Sequence, residues 1–194
     1  KVNDDQSKET LDFLNRSLSY LIFLPEMERL FQTSPSYRRN FLDRLIFSSN
    51  KDYNKLINKY RKFLLERIKI LQNKNFDNEW LEKIENDISE LGLEIYKLRF
   101  SQLDSINRNI NSLKNDHKFQ FNVELKIKDD FFDLDLTFEK YLSKLKDSRG
   151  YDGHYGGTKI GPHKSDIIAI INSDFEASLL STGQQKTLVL MILL

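Results

Sequence analysis

The chain has 194 residues, 39% hydrophobic and 30% charged, with a formal net charge of only +1, so a nucleic-acid surface has to come from local clustering rather than bulk basicity. It has no cysteine and three scattered histidines, His117, His154 and His163, which excludes a disulfide framework and a thiolate metal site and argues against a histidine zinc site. No run approaches the ~18 consecutive apolar residues of a membrane span, and the opening Lys1-Val2-Asn3-Asp4-Asp5-Gln6 is unlike a secretory leader; the expectation is a soluble, cytoplasmic protein with no membrane partner and no metal site.

Near the start, Tyr20-Leu21-Ile22-Phe23-Leu24 is an apolar run closed by Pro25, the pattern of a buried strand. Ser34-Pro35 then predicts a helix start, with Ser34 as cap and Pro35 at the first helical position. Phe41, Leu42, Leu45 and Ile46 form the apolar face of that helix. From Tyr53 to Leu71, apolar residues recur at three and four, which predicts an amphipathic helix. After the polar turn at 72–77 a longer helix begins, with Leu81, Ile84, Ile88, Leu91, Ile95 and Leu98 in a heptad-like seam. The phase slips by one residue before resuming at Leu103, Ile106, Ile110 and Leu113, which predicts a drift or local kink. Residues 35–115 therefore read as a helical arm of three antiparallel helices.

At His117 the period changes to two. Phe119, Phe121, Val123, Leu125 and Ile127 alternate with polar residues, which marks a half-buried strand. Thr137 to Leu145 is a short helix, Tyr151 to Gly157 a mobile glycine-rich loop, and Thr158–His163 and Ile167–Ile171 two further strands. Asn172-Ser173-Asp174 is a turn. The whole is a sheet domain interrupted by a helical insertion.

The chemistry is concentrated near the C-terminus. Ser181-Thr182-Gly183-Gln184-Gln185-Lys186 places a hydroxyl, a bare backbone position, two amides and a lysine at the start of an apolar helix, where unpaired N–H groups and the helix dipole favour phosphate. It reads as the signature loop of an ABC-type ATPase head; a plain capped helix start is the structural alternative. The chain has no G-x-x-x-x-G-K-[ST] loop, Gly156-Gly157-Thr158-Lys159 being only a decoy, and no strand ending in the paired acids of a Walker B motif. On its own, then, it is expected neither to hydrolyse nor appreciably to bind ATP, and no catalytic residue is assigned. Within Gly161-Pro162-His163-Lys164-Ser165-Asp166, His163 and Asp166 could form a general-base pair or a structural turn contact. Arg38 and Arg39, with Asp43-Arg44 beyond them, are either a phosphate-contacting patch or an internal ion-pair cluster. Arg61 and Lys62 on the arm are either a solvated face or a stripe that tracks a duplex backbone, so Arg38, Arg39, Arg61 and Lys62 are the DNA-binding candidates.

Three ordered blocks resemble the RecF family of bacterial recombination-mediator ATPases related to SMC-type heads. They are Phe23-Leu24-Pro25-Glu26 with Ser34-Pro35 and Arg38 to Asp43, then Thr158 to Asp166, which is similar to the family's G-P-H-R-D-D block, and then Leu180 to Lys186. Lys164 stands where Arg is usual and Ser165 where Asp is frequent. The resemblance implies a partial α/β ABC-type P-loop head with a mixed sheet: residues 1–34 its first part, 35–115 the inserted helical arm, and 116–194 the second part ending in the signature helix. The Walker A segment is expected before Lys1 and the Walker B segment after Leu194.

By the same resemblance, the intact protein is a slow ATPase that binds Mg-ATP between two subunits, with Ser181, Thr182, Gly183, Gln184 and Lys186 acting in trans. It would clamp DNA at single-strand/double-strand gap junctions, work with RecR and RecO, assist RecA loading, and serve DNA repair, recombination, replication and the SOS response. The rival readings are a non-enzymatic helical interaction module that uses the Leu81–Leu98 seam, and another SMC- or RecN-like head, against which the short insert argues.

Overall fold

The computed structural model describes residues 7, 9, 10, 13, 22–73, 77–114, 121–131 and 135–194. Pro25–Gln32 forms a 3-10 helix. It is followed by α1 (Pro35–Ser49), α2 (Tyr53–Leu71), α3 (Asn78–Lys114), β1 (Val123–Lys128), α4 (Phe138–Asp147), α5 (Arg149–Tyr155), β2 (Asp166–Ile171), β3 (Phe175–Glu176) and α6 (Thr182–Leu193).

Local chemistry fixes most of the boundaries. Ser34 caps α1 by accepting from the Tyr37 amide, with Pro35 at the first helical position, and Thr137 caps α4 in the same way from Lys140. The expected strand ending at Leu24 is not formed in its described part. Ile22–Leu24 carry no strand pairing, and Pro25 opens the 3-10 helix instead of closing a strand; Tyr20 and Leu21 lie outside the described residues.

The helix α3 runs unbroken for 37 residues, about 55 Å at a rise of ~1.5 Å each. The expected kink is absent because the slip in the apolar pattern is not a break in packing. Ile95, Arg99, Leu103, Ile106 and Ile110 are all buried at steps of four and three, so the seam continues through Arg99 while Leu98 is only half-buried. The seam is covered by the chain's own α1, α2, α4 and β1, which leaves it unavailable to a partner helix.

The described sheet has the order β1-β2-β3 and is wholly antiparallel, so no parallel pair of the expected mixed sheet is among these strands. Val123 pairs with Ile171 and Ile127 with Ile167, and Val123, Leu125, Ile167, Ala169 and Ile171 send their side chains into the core. Phe119 lies outside the described residues, and Phe121 and Asn122, which are described, stand before the strand. The turn at Asn172-Ser173 holds both residues at positive φ, 53° and 60°, and returns the chain into β3.

Two further expectations are corrected. Residues 149–155 are helical, not a mobile loop: Gly153 lets α5 approach the Leu71 backbone, buried Asp152 bonds to α2, and Gly156 ends the helix at a φ of 71°. Thr158–His163 is a string of bends and turns rather than a strand. Gly161 sits at a φ of 119° against the hydroxyls of Tyr60 and Tyr141, which takes the chain out of any ladder.

One hydrophobic cluster joins the 3-10 helix, α1–α4, β1, β2 and α6. Among the described residues no helix is long and apolar enough to cross a membrane.

Candidate functional site

The start of α6 is organised by a reciprocal capping box. The Gln184 amide donates to Ser181 Oγ at 3.4 Å, and the Ser181 amide donates to Gln184 Oε1 at 3.0 Å. The N–H groups of Thr182 and Gly183 have no acceptor among the described residues, and a side chain added at Gly183 would meet nothing within 4 Å. Ser181, Thr182 and Gly183 are exposed. Two free amides on an open helix start are what a phosphate oxygen can accept from, and the backbone can approach a ligand without obstruction.

Behind this rim the loop is held rigidly. Gln185 is fully buried and donates from Nε2 to the Leu180 carbonyl at 3.0 Å, and its Oε1 has no partner among the described residues. Lys186 turns toward the 3-10 helix, with Nζ 2.6 Å from Glu28 Oε1. Gln32 Nε2 donates to the Ser178 carbonyl, a second tie between the first described segment and the loop.

The two residues of interest in the glycine-proline-histidine block, His163 and Asp166, are separated by their partners. Asp166 is gripped by Arg38, Nε to Oδ1 at 2.8 Å and Nη2 to Oδ2 at 2.7 Å, while Arg38 Nη1 also donates to the Phe31 and Thr33 carbonyls. His163 does not meet Asp166. Its Nε2 is 2.8 Å from the Thr158 carbonyl, which can only accept, so Nε2 carries the proton and Nδ1 accepts from Tyr60 at 2.9 Å. Tyr60 in turn lies 3.1 Å from the Tyr141 hydroxyl. Burial, with Lys164, Arg39 and Arg99 nearby, holds the imidazole neutral with a pKa lowered to about 4, against a favourable contribution from the Thr158 carbonyl. With both nitrogens engaged, His163 is a structural strut rather than a base.

The basic candidates divide. Arg38 is committed to Asp166. Arg39 donates to the Ser165 carbonyl at 2.7 Å, and burial followed by the nearby Arg99 charge lowers its pKa despite help from Asp166 and Asp43. Arg61 and Lys62 are exposed on α2.

Two buried clusters carry the charges that sequence periodicity did not assign. Arg99, on α3, holds Asp43 through two 3.0 Å bonds and also donates to Ser165 Oγ and the Pro162 carbonyl. Burial opposes its charge, but Asp43 and Tyr53 raise its pKa overall. Arg67, on α2, spends its donors on Glu85, Asp152, Thr158, Ser148 and the Leu145 carbonyl. The signal for both was a charged residue standing on the apolar face of a helix: Arg67 between Leu64 and Leu71, Arg99 between Ile95 and Leu103.

With this geometry in place, the similarities to known proteins become informative. DNA replication and repair protein RecF of Clostridium novyi is 32% identical over 193 residues, covering 99% of this chain and 53% of that protein. The RecF protein of Rickettsia bellii is 28% identical over 193 residues, 98% of this chain and 54% of its own length. A solved structure of the recombination mediator protein RecF-ATP in the RecFOR pathway superposes with a TM-score of 0.77 at 25% identity, over 89% of this chain and 48% of that one. In sequence along nearly its whole length, and in fold, the chain resembles RecF proteins. It spans about half the length of the curated RecF relatives it matches. A second solved RecF, described with ATPrS, superposes with the same TM-score of 0.77. No family model matches the chain. The architecture is accordingly a partial ABC-type ATPase head: helices packed with a small antiparallel sheet.

Proposed function

We propose that this chain is part of an ATP-dependent mediator of DNA repair and recombination, and that its signature loop completes, in trans, a nucleotide site carried by a second subunit. The observation that carries this reading is the start of α6, where Ser181 caps the helix and the Thr182 and Gly183 amides stand free on an exposed rim. It is supported by the similarity to RecF proteins along 98–99% of the chain, and by a neighbour described as RecF-ATP.

In this reading the Thr182 and Gly183 N–H groups and the Ser181 hydroxyl donate to the γ-phosphate of Mg-ATP held by the partner subunit, and Gln184 and Lys186 line the contact. The amides lie at the positive end of the helix dipole, so they favour a triphosphate over a less charged product. Residues 35–115 are the arm inserted between head segments 1–34 and 116–194. The ATP-bound dimer closes on DNA at gap junctions, works with RecR and RecO to assist RecA loading, and opens on slow hydrolysis. Repair, replication and SOS functions in the cytoplasm follow from the same assignment.

The test is Ser181→Arg in the intact protein. A bulky cation on the rim is expected to abolish ATP-dependent dimerisation in light scattering while leaving nucleotide binding to a single subunit largely intact. Unchanged dimerisation would overturn the trans role of the loop.

A further inference from the structure

A cleft of about 190 Å³ opens between α1, α2 and the turn at Pro162-His163, with Ser36, Arg39, Asn40, Asp43, Arg61 and Arg99 on its walls. At about 30 Å³ per water molecule it has room for roughly six waters, or a phosphate group with part of its hydration. A shallower depression of about 290 Å³ continues from it along the α1–α2 surface, sharing Asn40, Asp43 and Arg61 and adding Arg44.

The charges in this cleft do not cancel. Arg39, Arg61 and Arg99 face a single carboxylate, Asp43, and Arg99 takes both of its oxygens. Asp166, whose charge acts on Arg39 more strongly than that of Asp43, does not line the cleft and is gripped in the same two-pronged way by Arg38. Arg39 is left with one carbonyl contact, and neither it nor Arg61 has a carboxylate at ion-pair distance among the described residues. Two guanidinium charges thus converge on a partly enclosed volume, where their repulsion is only partly screened. An anion in the cleft would reverse that penalty. Guanidinium forks match the tetrahedral oxygens of phosphate, the Ser36 hydroxyl and Asn40 amide add neutral donors, and Arg44 extends the positive track toward a second anionic group.

We propose that the cleft between α1 and α2 is a phosphate-binding site, with Arg39 and Arg61 as its principal ligands. The phosphate comes either from a nucleic-acid backbone or from a small free phosphate. Only the first source rests on the DNA-repair reading above; the phosphate chemistry stands without it. The site is separate from the α6 loop, and no residue of that loop lines it.

The experiment has two arms on the full chain. Inorganic phosphate and pyrophosphate are titrated against chloride at equal ionic strength, following the imidazole resonances of His163, which lines the cleft. Saturable shifts are expected. Arg61→Gln and Arg39→Gln should each weaken binding about tenfold, and Lys83→Gln, at a lysine that stacks on Trp80, should not. Arg61 makes no described internal hydrogen bond, so Arg61→Gln decides the matter even if Arg39→Gln perturbs folding. In the second arm a short labelled duplex is titrated. If the backbone is the source, Arg61→Gln lowers affinity and flattens the salt dependence by about one unit of slope, and pyrophosphate competes. A response to phosphate without one to the duplex assigns the cleft to a free phosphate and separates it from the DNA reading. Absence of saturable phosphate shifts, or Arg61→Gln binding phosphate as tightly as the unaltered chain, would overturn the proposal.

Discussion

Arg67 on α2 donates from Nη1 to Asp152 of α5 at 2.7 Å, with both side chains wholly withdrawn from solvent. Glu85 of α3 takes the Nε at 3.0 Å and is also held by Arg149, so the buried cluster has two charges of each sign. The arrangement ties α2, α3 and α5 at one point, and removing one member leaves a bare charge in the interior. Arg67→Met is therefore expected to cost about 3–5 kcal/mol, read by urea denaturation. Adding Asp152→Asn and Glu85→Gln to it should recover part of that loss. A cost below about 1 kcal/mol for Arg67→Met would show that the cluster contributes little.

The neutral state of His163 gives stability a definite dependence on pH. Its folded pKa is lowered to about 4, whereas the unfolded imidazole titrates near ~6.5. Between these values the unfolded chain binds the proton and the folded one does not. Stability is then fully present above ~6.5 and is lost as the pH falls toward ~4, by up to about 3 kcal/mol. His163→Gln, measured by denaturation across the same window, should remove most of that slope.

Gly161 is fixed by both conformation and space. Its φ is 119°, and a Cβ there would collide with the hydroxyls of Tyr60 and Tyr141. Gly161→Ala should cost at least about 2 kcal/mol in a thermal melt, from backbone strain together with the broken Tyr141–Tyr60–His163 chain. Gly183→Ala is the contrast, since nothing stands within 4 Å of its added carbon; its stability effect should stay within about 1 kcal/mol.

At the α6 cap, Ser181→Ala should lower stability by about 1 kcal/mol through loss of the side-chain half of the capping box. Lys186→Met should be close to neutral, because the Lys186–Glu28 pair is largely open to solvent, with Lys186 exposed and Glu28 half-buried. Chemical denaturation of the two variants side by side checks the ranking.

What the sequence made legible was whatever depends on local chemistry and on apolar spacing. The boundaries of α2, the cap Ser34, the start of α4 at Thr137, the inward face of β1 and the start of α6 at Ser181 all fall where the residues place them. The failures are tertiary. Three glycines between residues 151 and 157 read as a loop, yet Asp152 bonding to Arg67 and the close fit of Gly153 on Leu71 hold the segment helical as far as Tyr155. Thr158–His163 has apolar and β-branched residues but is bent by Gly161. The pairing of His163 with Asp166 was suggested by proximity in sequence, and longer-range partners, Tyr60 and Arg38, take each of them instead.

Arg99 in the middle of the α3 seam has a last consequence. An all-apolar seam on a helix of 37 residues could slide by a turn, about 5 Å, and still present leucines and isoleucines to its neighbours. With Arg99 docked on Asp43 and Ser165, any such shift would strand a guanidinium among hydrocarbon and orphan a carboxylate at once. The charge acts as an index pin: it fixes the long helix in a single register against α1 and the turn before β2. A displacement at one end of α3 would then be transmitted along its length as a rigid lever rather than absorbed by slippage.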